Sequence, residues 1–287
     1  MTATDRHAST DNVDTSCGNV DPDAVYAFAR ATNDANELYA TGARVPPLFT
    51  SSLLHGAWLT AHEQGTARAV ITDYRGGVHG EHDVVYRAPI RPGMTVRWQS
   101  EPRSAKRTKG GVILTIGLRI TDSEGTPLVD HLWSSYFIGG RAANEFGPDL
   151  PDHSFPEQAR SSSPRSVTMF VDRDQGFRYA GVSGDRVAHA IDDEAARAQG
   201  YPGKIMQGMC TFAMCSGAAV TTLAGGDPDR LHRLACRFAA PTRPNRELIV
   251  EFRDAGHNER GGQAVAFEAV QDGVKVIKHG WVELLPE

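Results

Sequence analysis

Residues 179–216, YAGVSGDRVAHAIDDEAARAQGYPGKIMQGMCTFAMCS, place an acid, a histidine, two glycine turns and the start of an apolar helix in one block. The helical part, IMQGMCTFAMCSGAAVTTLAG (205–225), is apolar round most of its circumference, as a helix enclosed by a sheet should be. Its glycines and alanines let sheet side chains approach closely. The chain beyond this helix reads as the strands that wrap it.

The rest of the chain looks like an earlier copy of the same unit. FARATND (28–34) lies over YAGVSGD (179–185) at an offset of 151, and His55-Gly56 lies over Gln207-Gly208 at 152. YRAPIRPG (86–93) lies over FAAPTRPN (238–245) at 152, and Lys109-Gly110-Gly111 over Arg260-Gly261-Gly262 at 151. Near-constant spacing across four landmarks marks a twofold internal repeat. Both halves run helix and loop, long helix, then strands. The predicted class is α+β, with two antiparallel-sheet units each wrapped around a long central helix. Side-by-side pairing of the halves would close one open sheet edge in each.

The predicted boundaries follow composition. Residues 1–20 are polar and read as a disordered tail. Order begins at Asp21-Pro22, a helix cap followed by a first-turn proline. An N-terminal unit spans 21–138, a Gly/Pro/Ser-rich linker 139–166, and a C-terminal unit 167–287.

The chain has 287 residues, 40% hydrophobic and 23% charged, with a mean hydropathy of −0.37. That is the composition of a soluble globular protein. A net charge of −5 argues against nucleic acid as a partner, and the basic run Arg103, Lys106, Arg107 and Lys109 reads as a solvated hairpin. Cys17, Cys210, Cys215 and Cys236 show no metal-ligand spacing, so reduced thiols are expected and no metal or other cofactor. No signal-type apolar segment or membrane span stands out, which predicts a cytoplasmic protein without a membrane partner.

The block resembles the hydratase signature of MaoC-like (R)-specific enoyl-CoA hydratases, which run YA-xx-SGD-x-NP-(I/L/V)-H-x-D and then HG(M/L). Tyr179, Ala180, Ser183-Gly184-Asp185, Asp192, Ala196, Gly200-Tyr201-Pro202 and Gly208-Met209 fall in that frame. The resemblance extends over most of 21–287 and implies a double hotdog whose first half is degenerate. It implies reversible syn addition of water to a trans-2-enoyl thioester, carried by CoA or an acyl carrier protein. Asp185 matches the family aspartate and Gly208 the glycine whose N–H holds the thioester oxygen, a role suited to a helix N-terminus. Ser216 matches a polar helix position near the catalytic pair in some relatives, and Tyr179, Ser183 and Gly184 complete the expected substrate-binding set. The resemblance also allows the double unit to dimerise.

The histidine departs from the pattern. Counted without a gap, Ala190 takes its place and His189 stands one residue early, while Gln207 replaces the histidine of HG(M/L). A loop that re-bends would let His189 serve with Asp185 as the catalytic pair, and Gln207 would bond the water or the acyl group. Alternatively, the scaffold binds, isomerises, cyclises or dehydrates a specialised metabolite without the usual Asp–His pair. In the N-terminal half, Asp34 lies over Asp185 and Tyr39 where a histidine would stand, which reads as a structural copy rather than a second site. His79 and His82 read as surface residues at a strand start.

Overall fold

The structure, a computed structural model, describes residues 14–63 and 71–286. Its strands are β1 (Asp14–Asn19), β2 (Ile71–Thr72), β3 (Gly76–Tyr86), β4 (Thr95–Thr108), β5 (Gly111–Asp122), β6 (Pro127–Ile138) and β7 (Arg141–Ala142) in the first half. The second half supplies β8 (Arg165–Val171), β9 (Leu231–Phe238), β10 (Arg246–His257), β11 (Gln263–Gln271) and β12 (Val274–Leu284). Ten of them form one sheet in the order β1-β4-β5-β6-β3-β9-β12-β11-β10-β8, while β2 and β7 pair separately.

That order reads the same from either end. Each first-half strand of this sheet has its repeat mate at the mirrored place, and the halves join through antiparallel β3 and β9. Asp83 faces Ala235 across this junction, two residues separated by the repeat offset itself, so the local twofold axis passes between them. Side-by-side pairing therefore closes one edge of each unit, as the duplication predicts.

A long helix lies against each half-sheet: Thr50–Glu63, here the first central helix, and Gly208–Leu223, the second. The second is buried from Met209 to Val220 without a break, which explains its lack of a polar face. Two shorter helices, Pro22–Ala31 and Gln175–Ser183, are also repeat mates and pack on each other, with Phe28 edge-on to Tyr179 at 5.8 Å. Asp21 caps the first of them through Asp23 N–H at 3.1 Å. Arg178 ties the pair by donating to the Arg30 carbonyl at 2.8 Å. This is the double hotdog the resemblance implied.

Two expectations need correction. Part of the expected tail is ordered: Asp14–Asn19 form β1, paired with β4 from Asp14 opposite Ser100 to Asn19 opposite Thr95, as β8 pairs with β10. The remainder of that tail, 1–13, lies outside the described residues. Residues 139–166 are not a free spacer, because they close over the β3–β9 junction. Alternation along β3 turns His82 and Val84 inward and Glu81 and Asp83 outward. Arg233 binds the Asp83 carboxylate at 2.7 Å, Arg237 binds Glu81 at 2.6 Å, and the segment covers them with the Asp152 carbonyl and the His153 ring.

Candidate active site

Asp185 owes its position to a helix end. Helix Gln175–Ser183 stops at Gly184, whose φ of +76° is left-handed and open to glycine at little cost. Ser183 Oγ donates to the Tyr179 carbonyl at 2.8 Å and accepts from Asp185 N–H at 3.2 Å. Gln207 Nε2 donates both to the Gly176 carbonyl at 3.0 Å and to the Asp185 carbonyl at 3.1 Å. The turn bearing Asp185 is thus pinned to the mouth of the second central helix.

Asp185 and Gly208 line one cavity of about 920 Å³, together with His55, Trp58, Gln207 and Thr211. Both halves contribute to its wall. Gly208 is the first residue of the second central helix, so its N–H has no acceptor within the helix. A methyl group on it would lie 3.1 Å from the Phe238 ring, so glycine is what lets that ring close over the helix start. Gln207 Oε1 and Thr211 Oγ1, one turn apart, are buried without a hydrogen-bond partner among the described residues, and both residues line the cavity. These are the acceptors a bound water or hydroxyl would satisfy.

Burial raises the Asp185 pKa above the usual carboxylate range, opposed first by the His55 imidazole, then by Val187 N–H, and last by His189. The order matters, because His189 is the expected partner and contributes least. Residues 188–191 form a helical turn, not the re-bending loop the sequence reading allowed. Neighbours in a helix point about 100° apart. Ala190 therefore takes the buried place while His189 turns to the cavity rim, bonded through Nδ1 to Gln199 Oε1 at 2.9 Å and set beside Tyr201. His55 comes from the first central helix. A methyl group on Gly184 would lie 3.7 Å from its Cδ2.

Three expected binding residues do not reach the cavity. Ser216 is buried in the helix with its hydroxyl turned back on the Ala213 carbonyl at 2.8 Å. Tyr179 is a core residue, and Ser183 holds the turn rather than a ligand. Gly184 and Gln207 do line it. Sequence reasoning missed His55, Thr211, Trp58 and Trp133. The spacing of Thr211 from Gln207 was a signal for the first turn of the helix face. His55 was visible only as the repeat mate of Gln207.

His79 and His82 are not surface residues. His79 lines the cavity, stacked on Trp133 at 4.6 Å, and Trp58 stacks on the other indole face at 4.6 Å. Behind this slab the histidines form a chain: His79 Nε2 to His82 Nδ1 at 3.2 Å, His82 Nε2 to His131 Nδ1 at 2.9 Å, and His131 Nε2 to Thr50 Oγ1 at 2.9 Å. Burial lowers the pKa of His79 and His131 to about 3 and that of His82 well below its ordinary value, so all three are neutral. Among the described residues no cluster of histidine, cysteine or carboxylate side chains could hold a metal ion. None of the described helices is long and apolar enough to cross a membrane.

The repeat mate of the cavity also exists. It is a pocket of about 140 Å³ lined by Tyr86, Pro89, Asp229 and Leu231, and Thr50 ends the histidine chain in its wall.

Residues 154–276 match the family model described as MaoC like domain. Probable enoyl-CoA hydratase 2 of Dictyostelium discoideum is 24% identical over 179 residues, 61% of this chain and 60% of that protein. 3-Hydroxyacyl-thioester dehydratase Y of Mycobacterium tuberculosis is 31% identical over 113 residues, 39% of this chain and 36% of that protein. The chain thus spans less than two thirds of the length of these curated relatives. A crystal structure of a MaoC-like dehydratase from Phytophthora capsici superposes with a TM-score of 0.80 at 19% identity, covering 96% of each chain.

Proposed function

Because this chain is MaoC-like in sequence over residues 154–276 and in fold over nearly its whole length, we propose that it hydrates 2-enoyl thioesters or dehydrates 3-hydroxyacyl thioesters. One observation carries the reading: Asp185 and Gly208, the first residue of the second central helix, line the same large cavity. The acyl chain lies along the apolar wall. The thioester oxygen accepts from Gly208 N–H, where the unpaired end of the helix favours negative charge. Asp185 takes a proton from a water held by Gln207 Oε1 or Thr211 Oγ1. The water oxygen adds to C3, the π pair moves onto the thioester oxygen, and the resulting enolate takes a proton at C2 from a histidine facing Asp185.

A raised pKa makes Asp185 a stronger base than a surface carboxylate and sets its acid limit. Protonation abolishes the base, so kcat/KM falls as pH drops through that raised pKa, sooner than an ordinary aspartate would allow. Trp58, stacked on Trp133, gives the cavity an aromatic wall that favours a bulky or ring-bearing acyl group over a short one. The test is hydration of crotonyl-CoA, trans-2-decenoyl-CoA and cinnamoyl-CoA, with chiral analysis of the 3-hydroxyacyl products. Turnover of at least one, to the (R) product, is expected. No turnover of any enoyl or 3-hydroxyacyl thioester, on CoA or carrier protein, removes the reading.

Burial of Ala190 at the family histidine position favours a second reading, in which the cavity binds or isomerises a specialised metabolite. Failure of every thioester together with tight binding of a non-thioester ligand would support it.

A further inference from the structure

We propose that the second catalytic residue is His55, from the opposite half of the repeat, so that the acid–base pair is divided between the two units. This rests on the hydratase reading and names the proton donor that reading leaves open.

The first central helix starts at Thr50, earlier than Gly56, which is the repeat mate of Gly208 at the start of the second. His55 therefore stands inside a helix, on its second turn, rather than at a helix mouth as Gln207 does. From there its ring reaches across the junction between halves. Its Cδ2 lies 3.7 Å from where a methyl group on Gly184 would stand, and it shares the cavity wall with Asp185. Trp58, one turn on, sits beside the ring at 5.8 Å, and Trp133 lies at 6.4 Å. Among the described residues the ring nitrogens of His55 have no hydrogen-bond partner, whereas His189 is held by Gln199 and the His79, His82 and His131 rings are committed to one another. Of the charges acting on Asp185, His55 is the strongest.

The proton inventory closes. Asp185 removes one proton from water as the oxygen bonds to C3, and the His55 imidazolium delivers one proton to C2 as the enolate collapses. The protonated Asp185 then returns its proton to neutral His55, directly or through the next water. Dehydration runs the same steps backwards, and no other co-reactant is needed.

The test compares His55→Gln, His55→Ala and His189→Gln in the full-length protein against the same three enoyl-CoA substrates. In the wild type, kcat should fall at high pH as the imidazolium loses its proton. His55→Gln should lower kcat about 100-fold, the usual scale for losing a general acid, and should remove that high-pH limb. Added imidazole should restore part of the activity of His55→Ala, which a purely structural role would not do. A His55→Gln enzyme within about threefold of wild type, with its high-pH limb intact, overturns the proposal. So does loss of the limb in His189→Gln instead. If the wild type itself hydrates none of the substrates, the hydratase reading falls first.

Discussion

Asp185 and Asp34 hold matching places in the two halves, yet their surroundings have diverged. Asp185 opens onto a cavity of about 920 Å³, while the repeat mate of that cavity has shrunk to about 140 Å³. Asp34 is driven against the second central helix, where a methyl group on Gly217 would lie 2.6 Å from its Oδ2. Its other oxygen, Oδ1, accepts from Asn36 N–H at 3.1 Å. The mouth beside it is stapled by Arg44, which binds Asp227 at 3.2 Å and Asp229 at 2.7 Å, and by Arg91 on the same Asp229 carboxylate at 2.5 Å. Tyr39, where a histidine would stand, is buried to 1% exposure, and burial with the charge of Asp34 raises its pKa far above the ordinary tyrosine value. Both aspartates are desolvated. Burial of a carboxylate therefore does not make a site; space for a substrate and an unpaired helix N–H beside it do. The first half keeps the sheet and supplies a wall for the cavity of the other.

That comparison can be broken most directly at the two carboxylates. Asp185→Asn should lower enoyl-CoA hydration by about 100-fold or more, measured as kcat/KM. Gly208→Ala tests the helix mouth: the added methyl meets Phe238, so about a tenfold loss in kcat/KM is expected, with destabilisation of about 1–3 kcal/mol by thermal melting. Thr211→Val keeps the shape and removes an unpartnered hydroxyl. It should lower kcat/KM by about threefold to tenfold while changing stability by less than about 1 kcal/mol, because the hydroxyl faces a cavity rather than a protein partner. Asp34→Asn should change kcat/KM by less than about twofold, against the roughly 100-fold at its mate. A large loss there would mean that the first half holds a working carboxylate of its own.

The fold was legible because its landmarks are turns. Pro89 and Pro241 sit in the β3–β4 and β9–β10 connections, and the paired glycines at 110–111 and 261–262 in the β4–β5 and β10–β11 hairpins, at a spacing that survives divergence. β1 was not legible. DTSCGN lacks an apolar alternation, and an edge strand can be held by backbone pairing to β4 alone. Asp185, Gly208 and Gln207, grouped by the block, do line one cavity, because one short turn and one helix start place them. His189 does line the cavity with Asp185, but a single turn of helix, invisible in four residues of sequence, sets it at the rim and gives it Gln199 as a partner. His55 and the Trp58–Trp133 slab escaped because their role depends on a contact across the junction, and no local pattern encodes which residue of one half meets the other. His82 had a readable signal: alternation puts it on the same face as Val84.

The histidine chain behind the cavity behaves as one object. Each neutral imidazole carries a single N–H, so His79, His82, His131 and Thr50 can satisfy one another only if all their hydrogens point the same way along the row. Two such orderings exist, and passing between them moves every proton together. Exchange of any one ring for an apolar side chain strands a buried donor or acceptor on each neighbour, while exchange of the whole row removes the mismatch along with the bonds. Single replacements along this row should therefore be individually harmful yet not cumulative, so the row gains and loses its members as a set rather than one residue at a time.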